Sequence, residues 1–441
     1  MKRLLFIFAF FCSYVIGGSA QEILTLENCL RLGIENNLSL EGKRKEIQKS
    51  KYGVSENRAK LLPQINGFAG FNDNFDPPVS VTDGSSYGVP YNVTQTLQYA
   101  ANAGLDLQMP LYNQTVYTAI SVARIVDEMN RLSYEKARED LIMQISKMYY
   151  LGQVTAEQIA LIKNNITRLE ELKNISEAFY DNGMAMEVDL KRVNINLENL
   201  KVQYDNAQAM MTQQLNMLKY VIDYPAEKEI ALVPVNTNNI TTAALTGMSE
   251  NLYELQLLQS QVQLAERQKK MVTNGYIPSL SLTGSWRYSA YTDKAYHWFH
   301  SGPSNYWYRS YGVGLTLRVP IFDGLDKRFK KQKALVDIQM TKLRQEDTRK
   351  NLQTQYLNAT NDLMNNQRNF KKQKDNYLLA EDVYAVTTDR YREGIASMTE
   401  VLQDEMRMSE AQNNYISAHY NYRVANLLLL KLTGQIESLL K

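Results

Sequence analysis

Cysteine, histidine and tryptophan are scarce in this chain of 441 residues, which has 2, 3 and 3 of them against 29 tyrosines. Cys12 sits in an N-terminal segment expected to be removed, so Cys29 is left alone, which excludes an internal disulfide or a thiolate metal cluster. His297 and His300 are three residues apart in "YHWFH", but only His419 exists elsewhere and Asp293 is the nearest acid. That set is too poor for a metal, and an aromatic cluster at an interface is the better reading. The charge is balanced, with 49 basic and 47 acidic residues and a formal net of +2. Lys2 and Arg3 belong to the removed segment, so the remainder is close to neutral, which argues against nucleic acid as a partner. Nucleophile elbow, phosphate loop and acid–base pair are all missing, so neither enzyme activity nor a cofactor is expected.

Long apolar runs are missing too. Past residue 20 no window approaches the ~18 apolar residues that a membrane helix needs. The start, "MKRLLFIFAFFCSYVIGGSA", reads as a secretory signal peptide over 1–20: a basic opening, a short apolar core from Leu4 to Ile16, and the small residues Gly18, Ser19 and Ala20 before the cut. Phe10 and Phe11 precede Cys12 where lipoprotein processing prefers small residues, so Cys12 reads as part of that apolar core. An exported chain without a membrane helix either stays in solution or crosses a membrane as β-strands.

Proline is missing from two long stretches. The ten prolines leave 111–224 empty, and none follows Pro320. Because proline costs ~3 kcal/mol inside a helix, these stretches read as helices, rich in Lys, Glu, Gln, Leu, Met and Ala over 114–180 and 325–391 and roughly 100 Å long each. Each reaches a glycine step, "YDNGMAMEVDL" (Tyr180 to Leu190) or "YREGIASMTEV" (Tyr391 to Val401), and a second helix runs back. The match continues elsewhere: "GLDLQMPLYN" (Gly104 to Asn113) returns as "GLTLRVPIFDG" (Gly314 to Gly324), and the helix-to-proline passages at Pro63 and Pro278 correspond. One unit is therefore duplicated with a period of about 210 residues, too long for a solenoid. The organisation read from this is a first repeat over 21–225, with strands near 64–74 and 99–110 and a helical hairpin over 114–222. A second repeat covers 226–441, with strands near 279–290 and 309–321 and a hairpin over 325–433.

The strands alternate. Leu280, Leu282, Gly284, Trp286 and Tyr288 share one face, opposite Ser279, Ser281, Thr283, Ser285 and Arg287. Val313, Leu315, Leu317 and Val319 do the same in the partner strand, and Ile65, Ala69, Phe71, Leu105, Leu107 and Met109 repeat the pattern more weakly. A sheet packed on a soluble core and a membrane barrel both fit. Three features favour the barrel: strands of ~9–11 residues suit a tilted crossing, the loops over 73–97 and 291–308 are long and aromatic, and no compact domain remains to cover a sheet. The candidates for facing lipid are then Leu280, Leu282, Trp286, Val313, Leu315, Leu317 and Val319. Four strands cannot close a barrel, so the chain must oligomerise; two copies would leave no wide channel, and three would give twelve strands.

The opening "LTLENCLRLGIENNLSL" (Leu24 to Leu40), the steps "LLPQI" and "YIPSL", the two strand-end phrases, the glycine tips and the closing "ANLLLLKLTGQI" (Ala425 to Ile436) together resemble the TolC family of trimeric outer-membrane efflux ducts. The resemblance covers nearly the whole chain after residue 20. It implies an α+β membrane protein in which four strands per chain form one third of a twelve-stranded outer-membrane barrel, and long helical hairpins form a periplasmic tunnel. It implies a homotrimer in outer-membrane lipid, partnered by a periplasmic adaptor and an inner-membrane pump. The function implied is passive exit of drugs, metals or other small substrates. A type I protein-secretion duct fits equally, since the pump chooses the cargo. A non-conducting coiled-coil tether or adhesin predicts strict heptads and no strand alternation, and the clean alternation around Leu315 opposes it.

The resemblance also distributes roles. Pro110 and Pro320 end barrel strands and turn the chain into tunnel helices, a role that a missing N–H and a fixed φ suit. Gly183, Met184 and Ala185, with Gly394, Ile395 and Ala396, are implied to touch the adaptor; ordinary turns between helices are the alternative. Asp189 and Glu400 match acidic positions near the closed end of the tunnel, where three copies of each would favour cations. A solvated helix face is the alternative. Glu187, Asp404 and Glu405 are further acids there, Tyr391 is a gate partner, and Gln403 and Ala396 stand where relatives carry an acid and a base.

Overall fold

The computed structural model describes residues 22–95, 97–235, 247–294 and 306–440. The expected signal peptide and the pair His297 and His300 lie outside them. In chain order the elements are β1 (Glu22–Leu24), α1 (Leu26–Asn36), α2 (Leu38–Ala59), β2 (Gln64–Asp73), β3 (Val79–Asp83), β4 (Tyr91–Gln95), β5 (Tyr99–Tyr112), α3 (Gln114–Asp181), α4 (Glu187–Val221), β6 (Ile230–Leu232), α5 (Tyr253–Asn274), β7 (Ser279–Thr292), β8 (Tyr306–Arg318), α6 (Asp326–Arg392) and α7 (Met398–Leu432). They group into two compact units. One holds the described parts of Met1–Arg44, Ser133–Leu255 and Asp347–Lys441; the other holds Lys45–Leu132 and Gln256–Glu346.

The second unit is organised by an antiparallel sheet of order β2-β5-β7-β8. Its register carries the sequence alternation across all four strands. Ile65 pairs with Leu107, Leu107 with Gly284 and Gly284 with Val313; one step along, Gly67, Leu105, Trp286 and Tyr311 align. Cross-strand partners share a face. The seven lipid-facing candidates therefore lie on one side, where Leu280 pairs with Leu317 and Leu282 with Leu315, and Val319 follows in phase just past the end of β8. The other side carries Asn66, Asp106 and Ser285 in one row and Asn102 with Ser289 in another. The outer edges, at β2 and β8, have no partner strand among the described residues.

Two expectations need correcting here. Pro110 lies inside β5, paired with Ser281 at a register shift between Pro110 and Tyr112, and does not begin a helix. A bulge tolerates a residue that cannot donate to the ladder. The helix start is set by Asn113, whose Oδ1 accepts from the N–H groups of Thr115 and Val116 at 3.1 and 3.3 Å. Pro320 follows β8, but α6 begins only at Asp326, after Gly324 and Leu325 at φ 65° and 69° and with Asp323 accepting from the Lys327 N–H at 3.2 Å. The second correction is that 73–97 is not all loop: β3 and β4 pair there, Val81 opposite Val93. Pro77, Pro78, Gly84, Gly88 and Pro90 surround these short runs and masked them.

In the first unit the long helices pack on a core that collects the chain's small elements. Thr25 caps α1 by accepting from the Asn28 N–H. Asn37 caps α2, accepting from Ser39 and Leu40 at 3.0 and 3.1 Å, and donates to the Val221 carbonyl at 2.8 Å, which ties this joint to the end of α4. Leu30, Ile142, Ile145, Leu218, Ile222 and Leu429 fill the centre. Cys29 is fully buried there, and burial alone pushes its thiol up to about 12. A neutral, enclosed thiol is inert. A maleimide reagent is therefore expected to leave Cys29 unmodified in the folded protein and to label it fully in denaturant; rapid labelling of folded protein would refute this packing.

Candidate functional site

The ends of the two long hairpins are built on the same backbone. At the first, the Tyr180 carbonyl accepts from the Gly183 N–H at 2.9 Å, and the Phe179 carbonyl accepts from Met184 and Ala185 at 2.8 and 3.2 Å. At the second, Tyr391 accepts from Gly394 at 2.9 Å, and Arg390 accepts from Ile395 and Ala396 at 2.8 and 3.2 Å. Gly183 and Gly394 have φ of 72° and 73°, the left-handed conformation that closes a helix and that glycine adopts at no steric cost. The residue after each glycine is apolar and outward: Met184 is 68% and Ile395 63% exposed. Ala185 is half-buried and Ala396 is buried.

The return helices begin differently. Ser397 caps α7: its hydroxyl accepts from the Glu400 N–H, and the Glu400 carboxylate accepts from the Ser397 N–H at 2.9 Å. In α4 the corresponding position is Met186, which offers no side-chain acceptor. The pattern Ser-x-x-Glu is a readable capping box, and it gives Glu400 a local partner that the reading of it as a bare pore acid left out. The other acids have partners as well. Glu187 pairs with Lys191 at 2.7 Å, and Asp189 with Arg192 at 3.4 Å. Asp404 accepts from the Thr387 hydroxyl at 2.8 Å and pairs with Arg407 at 3.2 Å. Gln403 is exposed.

The two hairpins pack on each other in this unit through Leu169, Leu172, Val193, Leu197, Val401 and Met408. Tyr391 is buried among them, its ring 5.5 Å from that of Phe179. Polar ties bridge the hairpins: Arg192 donates to Thr399 at 3.1 Å, Arg168 pairs with Glu381, and Arg392 approaches Glu171 at 3.8 Å. Arg168 and Arg192 were not singled out from sequence, because their partners are more than two hundred residues away.

Along α7 the buried positions recur every seven residues, and one set is polar: Glu405, Gln412, His419 and Asn426, alternating with Met408, Tyr415, Tyr422 and Leu429. Gln412 exchanges amide hydrogen bonds with Asn165 of α3 at 2.7 and 3.4 Å. Tyr415 donates to Glu157 at 2.9 Å, His419 Nδ1 lies 3.3 Å from the same carboxylate, and Arg423 donates to His419 Nε2 at 3.1 Å. With Nε2 accepting from Arg423, Nδ1 is the nitrogen that faces Glu157. Phe370 of α6 stacks over Tyr415 and Tyr422, each at 5.8 Å.

Glu405 breaks the series, because it is buried with one carboxylate oxygen unpartnered. Desolvation pushes its carboxyl up to about 7. Glu139, buried in α3, is raised to about 7 for the same reason. A carboxyl raised by folding stabilises the fold fully below the ordinary carboxylate range, and that contribution is lost as pH rises through about 7.

Two expectations follow from these caps and carboxyls. Ser397→Ala is expected to cost about 1 kcal/mol and Met186→Ser to gain part of that, read by chemical denaturation; equal effects of opposite sign to these would overturn the cap assignment. Melting temperature is expected to fall between pH 5 and 8, a loss on the order of 3 kcal/mol per carboxyl. Glu405→Gln is expected to remove part of the slope and Glu139→Gln the remainder; a slope untouched by both would show that these groups are not buried.

Comparison with known proteins places this arrangement. The family model described as "Outer membrane efflux protein" matches residues 30–222 and 248–435. Outer membrane protein TolC of Vibrio cholerae is 22% identical over 409 residues, covering 87% of this chain and 84% of that protein. The probable efflux pump outer membrane protein TtgC of Pseudomonas putida is 22% identical over 378 residues, covering 81% and 75%. The crystal structure of the outer membrane protein VceC of Vibrio cholerae superposes with a TM-score of 0.74 at 14% identity, over 92% of this chain and 96% of that one. The two matched segments together cover most of the chain, which accordingly belongs to the outer membrane efflux protein family and resides in the outer membrane.

Proposed function

We propose that this chain is one third of a passive exit duct, in which three copies close twelve strands into one barrel and receive small substrates from an inner-membrane pump through a periplasmic adaptor. The observation that carries the reading is the four-stranded sheet with one apolar face, one polar face and two edges unpaired among the described residues. In hydrocarbon each unpaired backbone group costs several kcal/mol, so β8 of one copy must find β2 of the next until the ring closes. The polar face then lines water. The proposed barrel has the lumen of a channel, since barrels well above eight strands are not filled by side chains. The pairing of TtgC with an efflux pump, given in its name, supports a pump as the energy source.

At the helical end, Met184 and Ile395 are the apolar side chains offered to the adaptor, with the glycine turns holding them outward. Ala185 and Ala396 support the turns from inside. Asp189 and Glu400 are the acids proposed for the mouth, Gln403 and Asp404 stand about one turn beyond Glu400, and Tyr391 braces the hairpin contact from within. Both Asp189 and Glu400 already have hydrogen-bonding partners, so opening must re-sort those bonds.

Single-channel recording in planar bilayers tests both levels. Wild-type protein is expected to give small, cation-selective openings, and Asp189→Ala/Glu400→Ala is expected to reduce the selectivity several-fold. Channels unaffected by the double substitution would keep the duct and remove these acids from its mouth. A folded, membrane-inserted oligomer that never conducts would sink the duct.

A further inference from the structure

Lysines crowd one groove near the sheet against a single acid. Between α5 and α6 a groove of about 700 Å³ is lined by Lys269, Lys270, Lys331 and Lys342, and Glu266 is its one acid. Glu266 pairs with Lys342 at 3.7 Å. Neighbouring Lys327 and Lys330 pair with Asp323 and Asp326 at 3.2 and 2.7 Å. Lys269, Lys270 and Lys331 have no carboxylate within ion-pair distance among the described residues. Three like charges around one concave surface repel each other, and α6 opens "DKRFKKQK", with five cations in its first eight residues. Such an arrangement is stable when an anion completes it.

Position identifies the anion. Lys270 stands four residues before the end of α5, and Lys331 five residues into α6. At 1.5 Å per residue both are ~6–8 Å from the sheet connections. The headgroup layer on each side of a bilayer is about that thick, the difference between a ~30 Å hydrocarbon core and ~40–45 Å overall. The apolar alternation of β8 also continues along the chain toward the start of α6: Leu315, Leu317, Val319 and Ile321 keep it beyond the end of β8, and Ile321 and Phe322 are 94% and 81% exposed in the chain. Acyl chains on that side would bring their phosphates level with the lysines.

We propose that the α5–α6 groove holds the phosphate headgroup of an anionic phospholipid in the leaflet that meets the helices, with Lys269, Lys270 and Lys331 as its donors. The site rests on the reading of the sheet as a membrane-spanning wall. It gives the duct a lipid preference, and it fixes the height of the barrel in the bilayer by charge in addition to apolar matching.

The test places the full-length oligomer in nanodiscs of phosphatidylcholine mixed with phosphatidylglycerol and measures the lipid retained on release by native mass spectrometry. Wild type is expected to enrich phosphatidylglycerol about tenfold or more, since each basic residue near a headgroup contributes ~1 kcal/mol. The triple variant K269Q/K270Q/K331Q is expected to fall toward parity, and K269R/K270R/K331R to keep the preference. If the triple glutamine variant fails to assemble, K331Q alone is expected to show a several-fold loss. Equal enrichment by wild type and the glutamine variants overturns the proposal. Displacement of the lipid by inorganic phosphate also overturns it, by making the groove a free-anion site. Failure of wild type to enter the nanodisc would overturn the spanning sheet together with this site.

Discussion

Backbone hydrogen bonds that have nowhere to go are the constraint on which the rest depends. A four-stranded sheet leaves a row of N–H and C=O groups at β2 and another at β8. Water would satisfy them, and hydrocarbon cannot. The alternation that gives the sheet an apolar face is thus also what makes its edges intolerable alone. Closure with further copies answers both demands, and the proposed duct is the shape that closure takes.

Duplication halves the information needed. The same helix–strand–strand–hairpin unit supplies β2 with β5 and β7 with β8, and the hairpin turns repeat to within a degree in glycine φ. The copies have nonetheless separated in chemistry. Ser397 caps one return helix while Met186 leaves the other uncapped. Buried polar residues seven apart occur in both, Glu139, Ser146 and Gln153 in α3 and Glu405 through Asn426 in α7. The two hairpins therefore share a buried polar spacing and differ in how the return helix is started.

Most of this architecture was legible because it rests on signals of short range. Proline-free stretches exposed the long helices, and strict alternation around Leu282 and Leu315 exposed two strands and their faces. The glycine tips could be aligned by eye. What stayed hidden was set by partners far away in sequence or by competing signals. Pro110 reads as a terminator, but a bulge absorbs it within β5 and Asn113 starts the helix. The β3–β4 pair disappears among prolines and glycines. At the helical end, five acids look alike in sequence apart from the Ser397–Glu400 capping pattern, and packing separates buried Glu405 from Asp404 beneath Thr387. The seven-residue repeat in α7 was equally hidden, because its alternate layers are polar and give no apolar stripe to read.

That polar seam works like the teeth of a gear. A purely apolar contact between α3 and α7 would tolerate sliding, because one leucine serves a hole about as well as another. Here a displacement by one tooth, ~10 Å along the helix, would carry Gln412 away from Asn165 and set His419 where no carboxylate waits. Each mismatched layer would bury polar atoms with nothing to bond. Translation along the seam is therefore costly, and the series fixes which layer of α7 meets which layer of α3.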